Sequence, residues 1–254
     1  VVDHPQSLFE EETVMRILVT GLPGSGKTTL ARELHTQLNG SQWYNGDQVR
    51  QINNDWDFSA EGRLRQAHRM RELADANKTI TIADFVAPTD EIRAIYQPHY
   101  VFFMDTIKEG RFSDTNKLYQ KPKDANCIVR NQEWDEFDVA QWIAQMYNDL
   151  PAGIMIGRYQ PFHDGHRALA EQVLERHPIV RVLVRAMPTS EKNPFKYPEV
   201  RDRILDAMHD YEGRVCVQRF SNVGGVYYGR DVGYNVEQIH LPPDVQAISA
   251  TKIR

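Results

Sequence analysis

Two stretches of this sequence carry residue types at spacings that could do chemistry on phosphates. The first, Gly21-Leu22-Pro23-Gly24-Ser25-Gly26-Lys27-Thr28-Thr29, satisfies Gly-x4-Gly-Lys-Ser/Thr. Glycines at 21, 24 and 26 let backbone N–H groups, those of Ser25 to Thr29 included, converge on phosphate oxygens, and a following helix adds positive potential. Lys27 can neutralise charge on the β and γ phosphates, and the Thr28 hydroxyl can ligate magnesium. The second stretch, Gly157-Arg158-Tyr159-Gln160-Pro161-Phe162-His163-Asp164-Gly165-His166, sets two imidazoles three residues apart around a glycine. Such a pair can offer N–H donors to an anion, serve as half of a metal site, or be two structural histidines.

Each stretch needs a strand before it and a helix after it, and the pattern of apolar residues supplies both. Apolar runs predict strands at Val14 to Thr20, Thr79 to Asp84, Tyr100 to Asp105, Gly153 to Gly157, Ile179 to Val184 and Val215 to Arg219. Leu30, Leu34 and Leu38 recur every four residues and put an apolar stripe on a helix directly behind the glycine-rich loop. Further helices are expected over about 60–76 and 135–148, and Leu169, Val173 and Leu174 follow the histidine pair in helical register. Strands alternating with helices predict an α/β fold with parallel sheets. Pro151 stops the helix before it and a strand begins at Gly153, which predicts two domains, 1–150 and 151–254. Between Arg111 and Asp124 the chain is charged and poor in apolar residues, as an exposed loop or flap would be.

The whole-chain properties narrow the class of partner. With 254 residues, 41% hydrophobic and 26% charged, the composition is globular, and a formal net charge of −5 gives no general attraction to nucleic acid or anionic lipid. Expected partners are therefore small-molecule substrates, ATP and anionic acceptors, with no nucleic acid and no membrane. Cys127 and Cys216 stand in unrelated contexts and read as free thiols of a reducing compartment. No secretory signal is visible and no run reaches the ~20 apolar residues of a membrane span, so a cytoplasmic location is expected.

Beyond the loop itself, the first half resembles the adenylylsulfate kinase family over about residues 14–122. The loop with Thr28-Thr29-Leu30-Ala31, then Asn45-Gly46-Asp47-Gln48-Val49-Arg50, Asp57-Phe58-Ser59, Phe85-Val86-Ala87-Pro88 and Lys117-Leu118-Tyr119-Gln120-Lys121 are similar to that family's segments. The resemblance implies a P-loop kinase fold using ATP and Mg2+. It places Thr28 and Asp47 at the metal, Lys27 and Asp47 in catalysis, and Arg50, Arg63, Gln66, Arg69, Phe85 and Lys117 at the acceptor. Taken by themselves, Arg63 and Arg69 also suit a solvated helix face. Asp84 and Asp105, each closing a strand, are weaker candidates for a contact to a magnesium water. Three features depart from the family: Asn45 stands for an aspartate, Gln66 for an asparagine, and the Phe-Thr-Gly segment after the lid is missing. From the neutral amide at 45 we expect slow or absent phosphorylation of adenylylsulfate, raised by Asn45→Asp.

The second half resembles the nucleotidyltransferase superfamily with its His-x-Gly-His motif, and its nicotinamide-mononucleotide adenylyltransferases in particular. Within Gly157 to His166 only Tyr159 departs, conservatively, from their motif, and Ile248-Ser249-Ala250-Thr251-Lys252-Ile253-Arg254 is similar to the superfamily's Ile-Ser-x-Thr-x-x-Arg. Asn193-Pro194-Phe195 with Arg201 and Arg203 is similar to a middle segment of the same enzymes. The resemblance implies a Rossmann-like fold that displaces pyrophosphate from a nucleoside triphosphate. Gly157, Arg158, His163, Gly165, His166, Ser249, Thr251 and Arg254 would bind ATP, with His163, His166 and Arg254 stabilising charge on the phosphates. The sequence thus reads as a bifunctional ATP-dependent transferase. Rival readings make the second domain a sulfate, cytidylyl or pantetheine-phosphate transferase, or the first a nucleotide-binding module without turnover.

Overall fold

A computed structural model describes residues 15–130, 136–225, 227, 236, 238–246 and 248. The chain divides into two compact units, Val14–Pro151 with Asp210–Arg214, and Ala152–His209 with the described part of Val215–Arg254.

The first unit is a five-stranded parallel sheet in the order β2-β3-β1-β4-β5. Its strands are β1 (Arg16–Gly21), β2 (Gln42–Asn45), β3 (Thr81–Asp84), β4 (Tyr100–Met104) and β5 (Cys127–Val129). Every residue of β1 and β3 is buried, as expected where helices cover both faces of a parallel sheet. The helices are α1 (Lys27–Gln37), α2 (Gly46–Ile52), α3 (Ala60–Asp75), α4 (Asp90–Tyr96), α5 (Ser113–Leu118) and α6 (Glu136–Asp149). The predicted stripe of α1 is realised, since Leu30 and Leu34 are fully buried and Leu38 is 3% exposed. Ser59 accepts from Gly62 N and starts α3, which presents Ala67, Met70 and Ala74 to Leu18, Ala83 and Tyr96. A fully buried Leu or Met side chain such as Leu18 or Met70 contributes roughly 1.5–3 kcal/mol.

The second unit holds a parallel sheet of β6 (Ala152–Gly157), β7 (Ile179–Arg185) and β8 (Val215–Phe220), in that order. Helices α7 (Asp164–Leu174) and α8 (Tyr197–Ala207) bury Ala170, Leu174, Val200 and Ile204, and Val180, Val182 and Val184 of β7 are buried as well. A short α9 (Pro243–Gln246) follows. Gly153 on β6 lies so near α7 that an added Cβ would meet Val173 Cγ1 at 2.2 Å.

The predicted strands appear with their ends moved by two residues or fewer, and the helix expected at 135–148 spans 136–149. Two strands escaped the sequence reading. Gln42-Trp43-Tyr44-Asn45 is too polar to form an apolar run, and Cys127-Ile128-Val129 is too short. The segment Arg111 to Asp124 is not all loop, because α5 lies within it. In both units the glycine-bearing loop leaves the carboxyl end of a strand and enters a helix, the edge of a parallel sheet where ligands bind. No helix among the described residues is long and apolar enough to cross a membrane.

Candidate active sites

The glycine-rich loop joins the end of β1 to the start of α1. Gly24 and Gly26 hold φ of 93° and 94°, left-handed values that cost other residues energy, so these two positions need glycine. Gly26 caps α1 with no side-chain bond, leaving the first turn of the helix to backbone donors. Lys27 is 9% exposed and its Nζ donates to Leu22 O at 2.9 Å. Burial lowers its pKa to about 8, against the opposing pull of Asp84 and Asp47. Ser25 Oγ is buried without a hydrogen-bond partner, and Thr106 Oγ1 donates to Ser25 O at 2.7 Å, tying the loop to the chain after β4.

Around Thr28 the structure gathers four side chains from three elements, α1, β2 and β3. Thr28 Oγ1 donates to Asp84 Oδ2 at 2.7 Å, Trp43 Nε1 donates to Asp84 Oδ1 at 2.9 Å, and Asn45 Nδ2 donates to both Asp84 oxygens. Burial nonetheless raises the pKa of Asp84, since desolvation outweighs these bonds. Magnesium takes oxygen ligands and keeps waters and phosphates among them. The donor set fits that ion: Thr28 Oγ1 and the Asp84 carboxylate stand together, and Asp47 lines the same cavity. The sequence reading ranked Asp84 below Asp47 and overlooked Trp43. A carboxylate ending a buried strand, beside a loop that needs a cation, was the available signal for Asp84.

One cavity of about 640 Å³ joins the loop to the expected acceptor residues, with Gly24, Gly26, Lys27 and Thr28 on one side and Arg50, Arg63, Gln66 and Phe85 on another. Arg50 Nη1 donates to the carbonyls of Asp55 and Asp57 and its guanidinium lies 4.7 Å from the Phe58 ring centre, so it shapes the 55–58 turn as well as facing the cavity. Arg63 donates from Nε to Phe58 O and from Nη2 to Asp114 Oδ2 at 3.2 Å, linking α3 to α5. Gln66 Nε2 donates to Gly46 O, which leaves its Oε1 buried and unpaired, an acceptor that suits a ligand N–H or O–H. Trp56, Phe58, Phe112 and Arg111 also line this space; of these the sequence reading singled out only Phe58.

Two expected acceptor residues are not brought there. Arg69 is held by Asp55 at 2.7 Å, in an ion-pair cluster with Arg65 and Asp57, and does not line the cavity. The hydrogen bonds from Arg65 and Arg69 push the Asp55 carboxyl well below the usual range. Lys117 is exposed and also lies off the cavity, because α5 turns Thr115 inward instead. Of the charged flap residues, Lys121 grips Asp105 at 2.7 Å. Gly21 and Thr29 differ in their placing: Thr29 lines the cavity beside Thr28, whereas Gly21 ends β1 in the sheet and stays outside it.

In the second unit the loop between β6 and α7 carries the histidine pair. His163 caps α7 and His166 sits in its first turn, with ring centres 3.7 Å apart in a stacked arrangement. Tyr159 meets His166 edge-on at 4.9 Å and Phe162 stacks on it at 5.5 Å. Burial and then His163 lower the His166 pKa to about 4, and burial lowers that of His163, so both rings are neutral at pH 7. Each Nδ1 is buried without a hydrogen-bond partner. Gly165 fits closely between the His163 ring and the backbone of α9: an added Cβ would stand 3.2 Å from that ring and 3.3 Å from Val245 O. Gln160 exchanges two bonds with Phe195, fixing the Asn193-Pro194-Phe195 turn to the histidine loop, and Arg203 lies 4.1 Å over the Phe195 ring. Gly157 packs under the Tyr159 ring and Arg158 is exposed. Ser249, Thr251 and Arg254 lie outside the described residues. Among the described residues no group of three or more His, Cys, Asp or Glu is placed to hold a metal ion.

Comparison with known proteins matches residues 13–130 to the family model for adenylylsulphate kinase and residues 154–215 to that described as cytidylyltransferase-like. An adenylyl-sulfate kinase of Halothermothrix orenii is 38% identical over 82 residues, 29% of this chain and 44% of the relative. Adenylyl-sulfate kinase 3 of Arabidopsis thaliana is 40% identical over 81 residues, 28% of this chain and 38% of the relative. This chain therefore spans less than half the length of either. The solved hexameric APS kinase from Thiobacillus denitrificans is 21% identical, over 54% of this chain and 29% of that one, with a TM-score of 0.41.

Proposed function

We propose that the first unit transfers the γ-phosphoryl group of ATP to a hydroxyl of an anionic nucleotide acceptor, with adenylylsulfate as the lead substrate. The observation that carries this reading is the single cavity shared by the phosphate loop and by Arg50, Arg63, Gln66 and Phe85. Phosphoryl transfer asks little covalent chemistry of a protein and depends on positioning and on stabilising charge. In this reading Lys27 and the loop N–H groups hold the phosphates, and Arg50 and Arg63 hold the acceptor's anionic end. Gln66 Oε1 accepts a hydrogen bond from the acceptor, and Asp47 receives the attacking hydroxyl's proton. Thr28, Asp84 and Asp47 would hold magnesium, which when bound supplies positive charge to the phosphate oxygens.

The second unit, in the same proposal, transfers an adenylyl group from ATP to a phosphate of an acceptor such as nicotinamide mononucleotide. Neutral His163 and His166 donate N–H to phosphate oxygens, and Arg254 pairs with the departing pyrophosphate. The broader description of the matching family favours keeping cytidylyl transfer as the second reading. A panel of acceptors with labelled ATP or CTP, reading nucleoside diphosphate and pyrophosphate separately, tests both units. ADP formation only with adenylylsulfate, and pyrophosphate only with a mononucleotide, is expected. ADP formation from some other hydroxyl acceptor, with none from adenylylsulfate, would replace the first assignment.

A further inference from the structure

Asn45 ends β2 directly opposite Asp84, which ends β3, in the parallel register of the two strands. Its Nδ2 donates to Asp84 Oδ1 at 3.1 Å, to Asp84 Oδ2 at 2.9 Å and to Thr28 Oγ1 at 3.3 Å. Its Oδ1 accepts from Asp47 N and Gln48 N at 3.1 and 3.0 Å and so starts α2. An aspartate at 45 would keep both cap bonds, because a carboxylate oxygen accepts as well as an amide oxygen does. It would lose all three donations, and would set a second carboxylate where the amide nitrogen now touches the first. Two carboxylates in one site disfavour each other's charge.

The geometry points to Asp84 as the carboxylate that positions the cation beside Thr28, and to Asn45 as the neutral donor that spares it a second carboxylate at the facing position of β2. The negative charge that the similar motif carries at the end of β2 stands, in this chain, at the end of β3. Asn45 is then a positioning residue acting through Asp84, and the expectation that Asn45→Asp raises activity is reversed. The inference rests on the phosphoryl-transfer reading of the first unit.

The test compares the parent with Asn45→Asp, Asp84→Asn and the double variant. ATP affinity is measured by calorimetry with magnesium and with EDTA, alongside melting temperature. The indole emission of Trp43, hydrogen-bonded to Asp84, reports on the site directly, with Trp43→Phe as the blank. Magnesium should tighten ATP binding to the parent. Asp84→Asn should lose about 10- to 100-fold of that tightening while binding metal-free ATP at least as well. Asn45→Asp alone should lower the melting temperature and weaken the magnesium effect, and the double variant, again with one carboxylate, should recover both in part. An undiminished magnesium effect in Asp84→Asn, or an Asn45→Asp chain as stable as the parent, would overturn the inference and leave the kinase reading standing. A parent that binds no ATP would overturn both. If Asn45→Asp fails to fold, folding of the double variant supports the inference and its failure refutes it.

Discussion

Lys27 shows how burial and charge divide the work at a single residue. Enclosed by the loop, its ammonium loses water and its pKa falls to about 8, with Asp84 and Asp47 only partly restoring it. A phosphate placed against it would favour the charged form and raise that pKa again. Near pH 8 the free protein therefore carries a partly neutral Lys27 and the ATP complex a protonated one. Binding should take up about half a proton at pH 8 and little or none at pH 6.5, and affinity should fall as pH rises beyond 8. Calorimetry of ATP binding at pH 8 in two buffers of different ionisation enthalpy reads this directly. Equal heats would mean that Lys27 is charged before ATP arrives. The histidines of the second unit follow the same logic with the opposite use. Their folded pKa values lie below the ordinary 6.5, so as pH falls from there toward 4 the unfolded chain gains protons that the folded one refuses, and this pair destabilises the second unit in acid.

At the scale of elements, the position of α2 depends on a glycine as well as on the buried Val49 and the Asn45 cap. Gly46 opens α2 against β3 so closely that an added Cβ would meet Phe85 Cβ at 2.6 Å and Asp84 O at 3.2 Å. Asp84 ends a fully buried strand and the buried Phe85 follows it directly, so the helix must yield. Gly46→Ala should cost about 1–3 kcal/mol by overpacking. Because the same helix carries Asp47 and Arg50, acceptor affinity should fall more than ATP affinity does. Thermal unfolding and the two Michaelis constants check it; an unchanged melting temperature would mean that α2 is free to shift. Such proximity was not legible in the sequence, where Gly46 reads as one letter of a motif. Legible features were those set by local pattern: the Gly21 to Thr28 loop, the α1 stripe and the apolar strands each declare themselves within a few residues. Register across strands does not, which is why Asn45 read as a lost carboxylate rather than as the donor to Asp84. The placing of Arg69 was hidden for a related reason. Its spacing on α3 suits an acceptor site, but Asp55 reaches it from the turn before that helix and turns it aside.

For the whole molecule, the phosphate loop and the histidine loop belong to different compact units, each with its own parallel sheet and its own strand-to-helix turn. If the two loops serve separate reactions, a lesson about one should not transfer to the other. Lys27→Ala should abolish ADP formation and leave pyrophosphate release near the parent rate. His166→Ala should do the converse, lowering kcat for pyrophosphate release on the order of 100-fold to 1000-fold, as for a lost transition-state donor. That loss should exceed any weakening of ATP binding, because a donor aimed at developing charge acts more strongly in the transition state than in the bound complex. A structural role for His166, which packs against Tyr159 and Phe162, predicts instead a lower melting temperature with normal turnover of the protein that stays folded. Both products are measured from one reaction mixture for the parent and the two variants, with thermal unfolding of each. Loss of both activities in a variant that melts like the parent would show that the two units do not act as independent catalysts.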